Sequence, residues 1–510
     1  MARQIVYRLS NPGYTIYHRA ALGGLAATVR SWANRPPEGV TVELQRDFVR
    51  LAWGDDLTDQ EALRRILALS FKVTKDKLID LPGQGIGPDQ NDLRLAVHSG
   101  ICGTFLQHTK MRPSEKEPRR VELKTADDEA GNIFTYKAVN SYAHQKAQGT
   151  GLLEEKHKGA WPVSAVIPQS VVPGAMKGAL ELEVAPEEVV LLLFLAVGSA
   201  IFLLRPRTWK EKAQYCVILP DVIDLVAFAK ALHRITSTSQ TIKRFSNSYL
   251  GRVVGGAEEA ALRFLIDLNA DDIASERSVA GCLAIAMGKA AWDNNQINRS
   301  FIVKLKDDYP DLNIFREANK HLGNSKVIKG KKDESYAVPA SPIPELLAAN
   351  LAAERHWCSH FRELVSDKKD FKRMFFSKGG LKAMREAIKD ADDQAIIRAF
   401  HDAWYLTMGA MGERARRDKL DFSRLREVEC ERMRNAILRA KTADMLAAWF
   451  LRFCADATSG SSLAAIRGDG DRVRKFIFNP RNFDRFQNLC LFALVSYVSD
   501  DQKTHSGGTK

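Results

Sequence analysis

Four stretches of the chain bring together residue types that do chemistry. "FHDAWY" sets His401 beside Asp402, the dipeptide that metal-dependent phosphohydrolases use. That chemistry needs further His and Asp ligands. No matching His pattern precedes it, so the pair reads as a helix-surface dipeptide. "RHWCSHF" crowds His356, Cys358 and His360, with the two histidines spaced to share a helix face. A zinc site wants four ligands, or three and a water, and neither an HExxH pattern nor a second cluster supplies them. "HSGICG" places His98 and Cys102 one helical turn apart. A Cys-His nucleophile pair is normally built from separate elements, so this one reads as a buried helix turn.

The fourth stretch, "TIYHRAALGGLAATVRSW" from Thr15 to Trp32, opens on His18-Arg19 and carries Gly23-Gly24. A phosphate-binding loop requires GxxxxGK[ST]. Here Leu22, Leu25, Val29 and Trp32 continue an apolar helical face across the glycines. A glycine pair destabilises a helix and is tolerated where a neighbour must come close; packing is therefore the expectation, with His18 and Arg19 at a polar surface. "GQGIGPD" offers Gly83, Gly85 and Gly87, but GxGxG followed by Pro88 is not the GxGxxG of a dinucleotide site. It reads as a flexible, solvent-reaching loop. None of these sets completes a catalytic site, and no metal or cofactor is expected.

The elements that would position such residues change character along the chain. "QIVYRL" is a strand, and "VTVELQRDFVRLAW" alternates as a hairpin. "TDQEALRRILALSF" opens with a Thr58/Glu61 capping box. "KLIDL" is a strand, "NDLRLAVHSGICGTFLQH" a helix and "RRVELKTADDEAGNIFTYKAV" a hairpin. "VVLLLFLAVGSAIFLL", Val189 to Leu204, falls short of the ~20 residues of a membrane span; a buried helix and then a buried strand are expected. "YCVILP" is a strand ended by Pro220, followed by a helix capped by Asp221. "SVAGCLAIAMGKAAWDNNQINRSFIVKL" gives two strands joined by a polar tip at Asp293 to Asn298.

The fold class expected is an α+β N-terminal region of mixed strands and helices followed by an all-α antiparallel helical bundle. The boundaries read as an α/β domain over 1–322, a linker over 323–344, a bundle over 345–500 and a frayed tail over 501–510. In the bundle, "LKAMREAIKDADDQAIIRAFHDAWYLTM" aligns Leu381, Met384, Ile388, Ala395, Ala399, Ala403 and Thr407 on one stripe. Three further helical stretches follow, the last with Asn479 as cap and Pro480 at its first position.

Charge points to a polyanionic partner. The 510 residues carry a formal charge of +13, and the pI is 9.3, with a globular 45% hydrophobic content. From Glu345 onward roughly 30 basic residues stand against 23 acidic ones. Arginines cluster in "GERARRDKLDFSRLRE", where Arg414, Arg416, Arg417 and Arg424 fit a phosphate-tracking surface. Seven scattered cysteines without CxxC fit a reducing cytoplasm. "MARQIVYRLS" has no apolar signal region.

Taken in order, the opening "VYRLSNPGYTIYHRAALGGLAATV", the "PEEVVLLLFLAVGSAIFLLRPR … CVILPDVIDLVAFA" block, the "GKAAWDNNQINRSFIV" hairpin, the linker and the bundle resemble the large subunit of a type I CRISPR Cascade surveillance complex of the I-B-like, MYXAN-type group. The resemblance implies a non-catalytic, cytoplasmic protein with no cofactor and no membrane attachment. It would read the protospacer-adjacent motif (PAM) on duplex DNA, help open the duplex, stabilise the R-loop and help recruit the effector. The partners implied are a CRISPR guide RNA, target double-stranded DNA and its displaced strand, the Cascade backbone and 5′-handle-capping subunits, and a helicase-nuclease effector or transposition adaptor. The C-terminal bundle would correspond to the family's small subunit, with Met374, Met384, Met408 or Met411 as internal translation starts.

Three loops offer polar groups to DNA. They are Lys110, Arg112, Arg119 and Arg120; Asn140, Gln145, Lys146 and Gln148; and Asn294, Asn295, Gln296 and Arg299. Two alternatives stay open: a metal-dependent nuclease or phosphohydrolase around His401-Asp402, and a DNA-binding transposition or defence adaptor that uses no guide RNA.

Overall fold

Strand β1 (Arg3–Arg8) leads into helix α1 (Ile16–Trp32), and α1 is apolar nearly all round, the signature of a helix buried on every side. The computed structural model describes residues 3–33, 35–106, 115–125, 128–142, 161–162, 183–184, 186–204, 214–237, 254–268, 277–287, 299–304, 311–329, 335–457 and 464–498. They form two compact units, Met1–Leu305 with Ser325–Pro339, and Lys306–Asn324 with Ala340–Lys510.

The first unit is α/β. Strand β1 joins β2 (Val40–Leu44) and β3 (Phe48–Trp53) in an antiparallel sheet with β3 central. Val49, Leu51 and Trp53 are buried, as the alternation requires. Helix α2 (Asp59–Ser70) starts at Thr58, whose N–H reaches Glu61 Oε2 at 2.9 Å. Two-residue ladders β4 (Lys72–Val73) with β5 (Ile79–Asp80) and β8 (Trp161–Pro162) with β9 (Glu183–Val184) flank helix α3 (Asn91–Gly103) and the hairpin β6 (Arg119–Thr125)–β7 (Asp128–Tyr136) in the sequence.

The apolar run resolves as expected into buried helices α4 (Pro186–Leu193) and α5 (Leu195–Gly198), then strand β10 (Ala200–Leu204). Strand β10 opens a four-stranded antiparallel sheet, in order β10, β11 (Gln214–Val222), β12 (Val279–Ala286) and β13 (Arg299–Lys304). Helices α6 (Leu225–Ser237) and α7 (Ala257–Leu268) also belong to the unit. Among the described residues, no helix is long and apolar enough to cross a membrane.

Helix α1 crosses α5 at glycines. A Cβ on Gly24 would lie 2.2 Å from the Phe194 carbonyl oxygen and 2.6 Å from the Gly198 nitrogen, and one on Gly23 would lie 2.8 Å from the Phe228 ring. Packing is thus what the glycine pair serves. Gly24→Ala is expected to cost the unit about 2–3 kcal/mol through overpacking, read as a lower urea midpoint. Gly87→Ala, whose Cβ would have 3.5 Å of clearance, is the near-neutral control.

Several expectations require correction. His18 and Arg19 are not a polar surface: His18 is 7% exposed. Its Nδ1 accepts the Thr15 N–H at 3.2 Å, Tyr14 stacks on its ring, and burial lowers its pKa. Arg19 pairs with Asp221. Asp221 is therefore engaged, and Asp224 caps α6 through the Ala227 N–H at 2.9 Å. Strand β11 runs through Pro220 to Val222, because a register irregularity at that point absorbs the missing N–H.

The "GQGIGPD" loop is held in place rather than solvent-reaching, and Gly83 and Gln84 are buried. His233 Nε2 meets the Gly83 carbonyl at 2.9 Å, and the Thr236 hydroxyl donates to that of Gln84. Arg94, ion-paired with Asp80, donates to Ile86 and Gly87. Bare glycine backbone exposes carbonyls that these buried donors need.

The second unit is helical, as expected of the C-terminal region. It contains α8 (Leu312–Leu322), α9 (Ile343–Ala352), α10 (Phe361–Val365), α11 (Lys368–Met374), α12 (Lys378–Ala387), α13 (Ala391–Arg417), α14 (Phe422–Arg439), α15 (Ala443–Ala457), α16 (Ala464–Ile477) and α17 (Phe483–Ser496). Between α8 and α9 in the sequence, the stretch expected as a linker carries strands β14 (Ser325–Lys329) and β15 (Ser335–Pro339), paired antiparallel and belonging to the first unit. Its Lys- and Pro-rich composition hid the pairing. The stripe from Leu381 to Thr407 spans two helices, not one. The Asp390 carboxylate breaks it by capping α13, accepting from the Asp392 and Asp393 N–H groups at 2.9 and 3.0 Å.

Candidate functional site

The helical unit gathers a buried polar cluster around Asp393, which is fully buried in the first turn of α13. Trp357 Nε1 donates to its Oδ2 at 2.7 Å. Arg485 of α17 donates to its Oδ1 through Nε at 2.9 Å and also pairs with Asp390 at 2.8 Å. His356 Nε2 lies 2.9 Å from Oδ2, off-axis for a hydrogen bond. His356 Nδ1 in turn lies 3.2 Å from the Cys358 sulfur.

Thiol, imidazole and carboxylate thus stand in a row, but the thiol has no nucleophilic character. Cys358 is 0% exposed, and burial, with the Asp393 charge second, pushes its pKa well up. Burial also raises the carboxyl of Asp311, against the pull of His356. His356 and His360 do not share a helix face, which corrects the expectation. The segment between α9 and α10 is a turn, with His360 in the left-handed region at φ 61°. Asn350 Nδ2 fixes that turn by donating to the Trp357 and Ser359 carbonyls at 2.9 and 2.7 Å.

His401 is likewise not a surface group. Its Nε2 contacts the Ala493 carbonyl at 2.9 Å, Arg385 Nη1 lies 3.2 Å from Nδ1, and the ring packs edge-on to Tyr497. Burial, opposed by the Ala493 bond, lowers its pKa to about 4. Among the described residues no three His, Cys, Asp or Glu side chains are placed to hold a metal ion.

A neutral imidazole held this way stabilises the unit fully above the unfolded pKa of about 6.5. That contribution is lost as pH falls from there toward 4, because only the unfolded chain takes up the proton in that window. The loss is expected to reach about 2–3 kcal/mol. His401→Gln should remove that part of the acid sensitivity, measured as urea midpoints at pH 7.5 and 4.5.

The exposed arginines occupy the far end of α13 and the start of α14. From Tyr405 to Glu429 only Ala415 is buried. Arg414, Arg416 and Arg417 lie in the last turn of α13, where the helix dipole favours cations. Lys419 turns the chain in the left-handed region at φ 52°, and Asp421 caps α14. Asp418 offsets Arg414 and Arg417 at 3.6 and 2.9 Å. Among the described residues Arg416 reaches only the Gly412 carbonyl, at 3.5 Å. Arg424 has no carboxylate within ion-pair distance among the described residues. Tyr405, Leu420 and Phe422 are exposed alongside them.

The other predicted residues are scattered. Arg119 is spent on structure: it forks onto Glu115 at 2.8 and 3.1 Å and reaches the Asp76 carbonyl. Arg120 and Asn140, near the same end of the β6–β7 ribbon, are exposed. Arg299 opens β13 opposite Ala286. Lys110, Arg112, Gln145, Lys146, Gln148, Asn294, Asn295 and Gln296 lie outside the described residues. Sequence reading passed over Phe376, Lys378 and Arg426. "FFSKGG" looks like ordinary helix, and nothing in it signals that Phe376 is 91% exposed.

Likenesses to known proteins stand beside this geometry. Residues 6–193 match the DevT N-terminal domain and residues 385–509 the DevT C-terminal domain. Over 96% of its length the chain is 25% identical to the CRISPR-associated protein Cas8a1/Csx13 of Myxococcus xanthus (strain DK1622), covering 88% of that protein.

Proposed function

We propose that this chain is the large subunit of a type I CRISPR surveillance complex and breaks no covalent bond itself. The single observation that carries the reading is the likeness to a CRISPR-associated protein along 96% of the chain. The +13 charge and the exposed arginines at the α13–α14 turn support it physically. Complexes of this kind delegate sequence reading to base pairing, so the protein supplies shape, charge and a few polar probes.

In this reading the α/β unit senses the PAM through Arg120, Asn140 and the loops containing Lys110, Gln145 and Asn294–Gln296. The helical unit follows the displaced strand, and a helicase-nuclease or a transposition adaptor is recruited downstream. The binding of His401 to the Ala493 carbonyl speaks against a metal-dependent hydrolase centred on that residue.

Purification with the neighbouring gene products tests the proposal. A defined short RNA should co-purify. Changing Asn294, Asn295 and Gln296 to alanine should alter motif discrimination more than non-specific binding. An assembly free of RNA, or hydrolysis abolished by His401→Ala, would overturn the reading.

A further inference from the structure

We propose that residues 405–426, the end of α13 and the start of α14, form a finger that opens locally about a hinge at Thr407–Gly412 while the rest of the helical unit stays folded. The opening is a property of the chain alone. Its use, to let the arginines of the tip follow a phosphate chain whose path shifts, rests on the nucleic-acid reading above.

Helix α13 changes character halfway along. Up to Trp404 it is a core helix: Ile396, Ile397, Phe400 and Trp404 are buried, and the Phe400 and Trp404 rings stand 5.2 and 6.5 Å from that of Phe453 in α15. Beyond Trp404 the helix keeps one buried residue, Ala415. Helices in proteins owe most of their stability to packing an apolar face, and a stretch with few buried apolar groups opens at low free energy. The finger has defined ends. Trp404 holds one, and Glu427 and Glu431 of α14, paired with Lys372 and Lys368 of α11, hold the other. Within it, the Leu420 N–H donates to the Ala415 carbonyl at 2.9 Å.

The hinge is where α13 is weakest. Gly409 and Gly412 lie in the interior of this 27-residue helix, and neither has a positive φ. A Cβ on Gly409 would meet no atom within 4 Å, and one on Gly412 would come no closer than 3.9 Å, to the Phe422 ring. Close approach explains Gly24 but explains neither of these. What the two glycines do is lower helix stability, by about fivefold each in the folding equilibrium against alanine. Just before them, the Thr407 hydroxyl donates to the Ala403 carbonyl at 2.8 Å, a back-bond of the kind that bends helices. Charge works the same way. From Glu413 to Arg426 six cations stand against three carboxylates, and α14 has no acidic residue in its first turn, where its dipole would favour one. The surplus opposes closure, and a polyanion at the tip removes that opposition.

Hydrogen exchange of the full chain, read by mass spectrometry, tests the finger. Amides of Gly409–Arg417 are expected to exchange at least about a hundredfold faster than those of Ile396–Trp404. Gly409→Ala and Gly412→Ala should each slow the finger about fivefold, and together about 25-fold, with Ile396–Trp404 unchanged. Exchange of the two halves within about threefold of each other would overturn the inference. So would alanine variants that slow both halves alike, or neither. Both positions are helical and open, so the variants should fold like the parent, which circular dichroism checks. A second arm adds oligo(dT) at about a hundred times its Kd, which should slow the finger about a hundredfold if the strand binds the closed form alone. An oligonucleotide that binds the protein and leaves the finger's exchange where it was would remove the arginines from the proposed function; the opening itself, already measured without ligand, would stand.

Discussion

Asp393→Ala is expected to destabilise the helical unit by about 3–5 kcal/mol, the cost of leaving a buried charge without its partner. The charge left behind is Arg485, which donates to Asp393 through Nε, holds Nη2 2.7 Å from the same oxygen, and is only partly relieved by Asp390. Trp357 Nε1 would lose its acceptor at the same time, adding an unsatisfied buried donor. Asp393→Asn should fall between the two, since one amide oxygen can still accept but carries no charge. The double variant Asp393→Ala/Arg485→Met should recover part of the loss, because it removes the orphaned cation as well. Non-additivity of that kind is the mark of a coupled pair. Urea denaturation followed by far-ultraviolet dichroism measures all four proteins. A loss below about 1 kcal/mol in Asp393→Ala would mean that water reaches the cluster and that the pair holds nothing together.

That cluster also shows where sequence reading ends. Signals confined to a few neighbouring residues were legible. The Thr58/Glu61 box, the alternation in β2 and β3 and the Gly23-Gly24 close approach each follow from local geometry. What failed depended on partners far along the chain. Asp221 looks like a helix cap until Arg19, about 200 residues earlier, claims it. "GQGIG" looks mobile until Arg94, His233 and Thr236 supply donors to its carbonyls. "RHWCSHF" reads as a helix face because i,i+4 spacing assumes helix, whereas Asn350 and Asp393 fold it into a turn. Polar groups satisfied across long separations leave no periodic trace in the sequence.

The candidate site divides along the same line. Clustered arginines are visible as composition, so the α13–α14 turn was legible. Arg119 belongs to the same class by composition but is tied down by Glu115, which only the fold reveals. Phe376 carries the opposite lesson: phenylalanine is read as core, and its exposure is a property of the turn that presents it.

Charge reversal of Arg416, Arg417 and Arg424 to glutamate tests the legible part most severely. Each phosphate contact on a single strand contributes about 0.7 to the slope of log affinity against log salt. If these three arginines each neutralise one phosphate of the displaced strand, their loss should flatten the slope by about 2.1. Affinity should fall by about 2.7 decades at 50 mM salt and about 1.5 at 200 mM, before any added repulsion from the glutamates. Stability should barely move, because all three side chains are exposed and, among the described residues, only Arg417 of the three has a carboxylate within ion-pair distance, the adjacent Asp418. This separation of binding from folding gives the experiment its force. Arg414 is the internal comparison: it shares Asp418 at 3.6 Å, so Arg414→Glu alone should cost less than Arg424→Glu alone. A protein that folds normally, keeps its salt slope and holds its R-loop after the triple reversal would show that the nucleic acid does not pass this end of the helical unit. The positive surplus of the C-terminal region would then be a solvated helix surface.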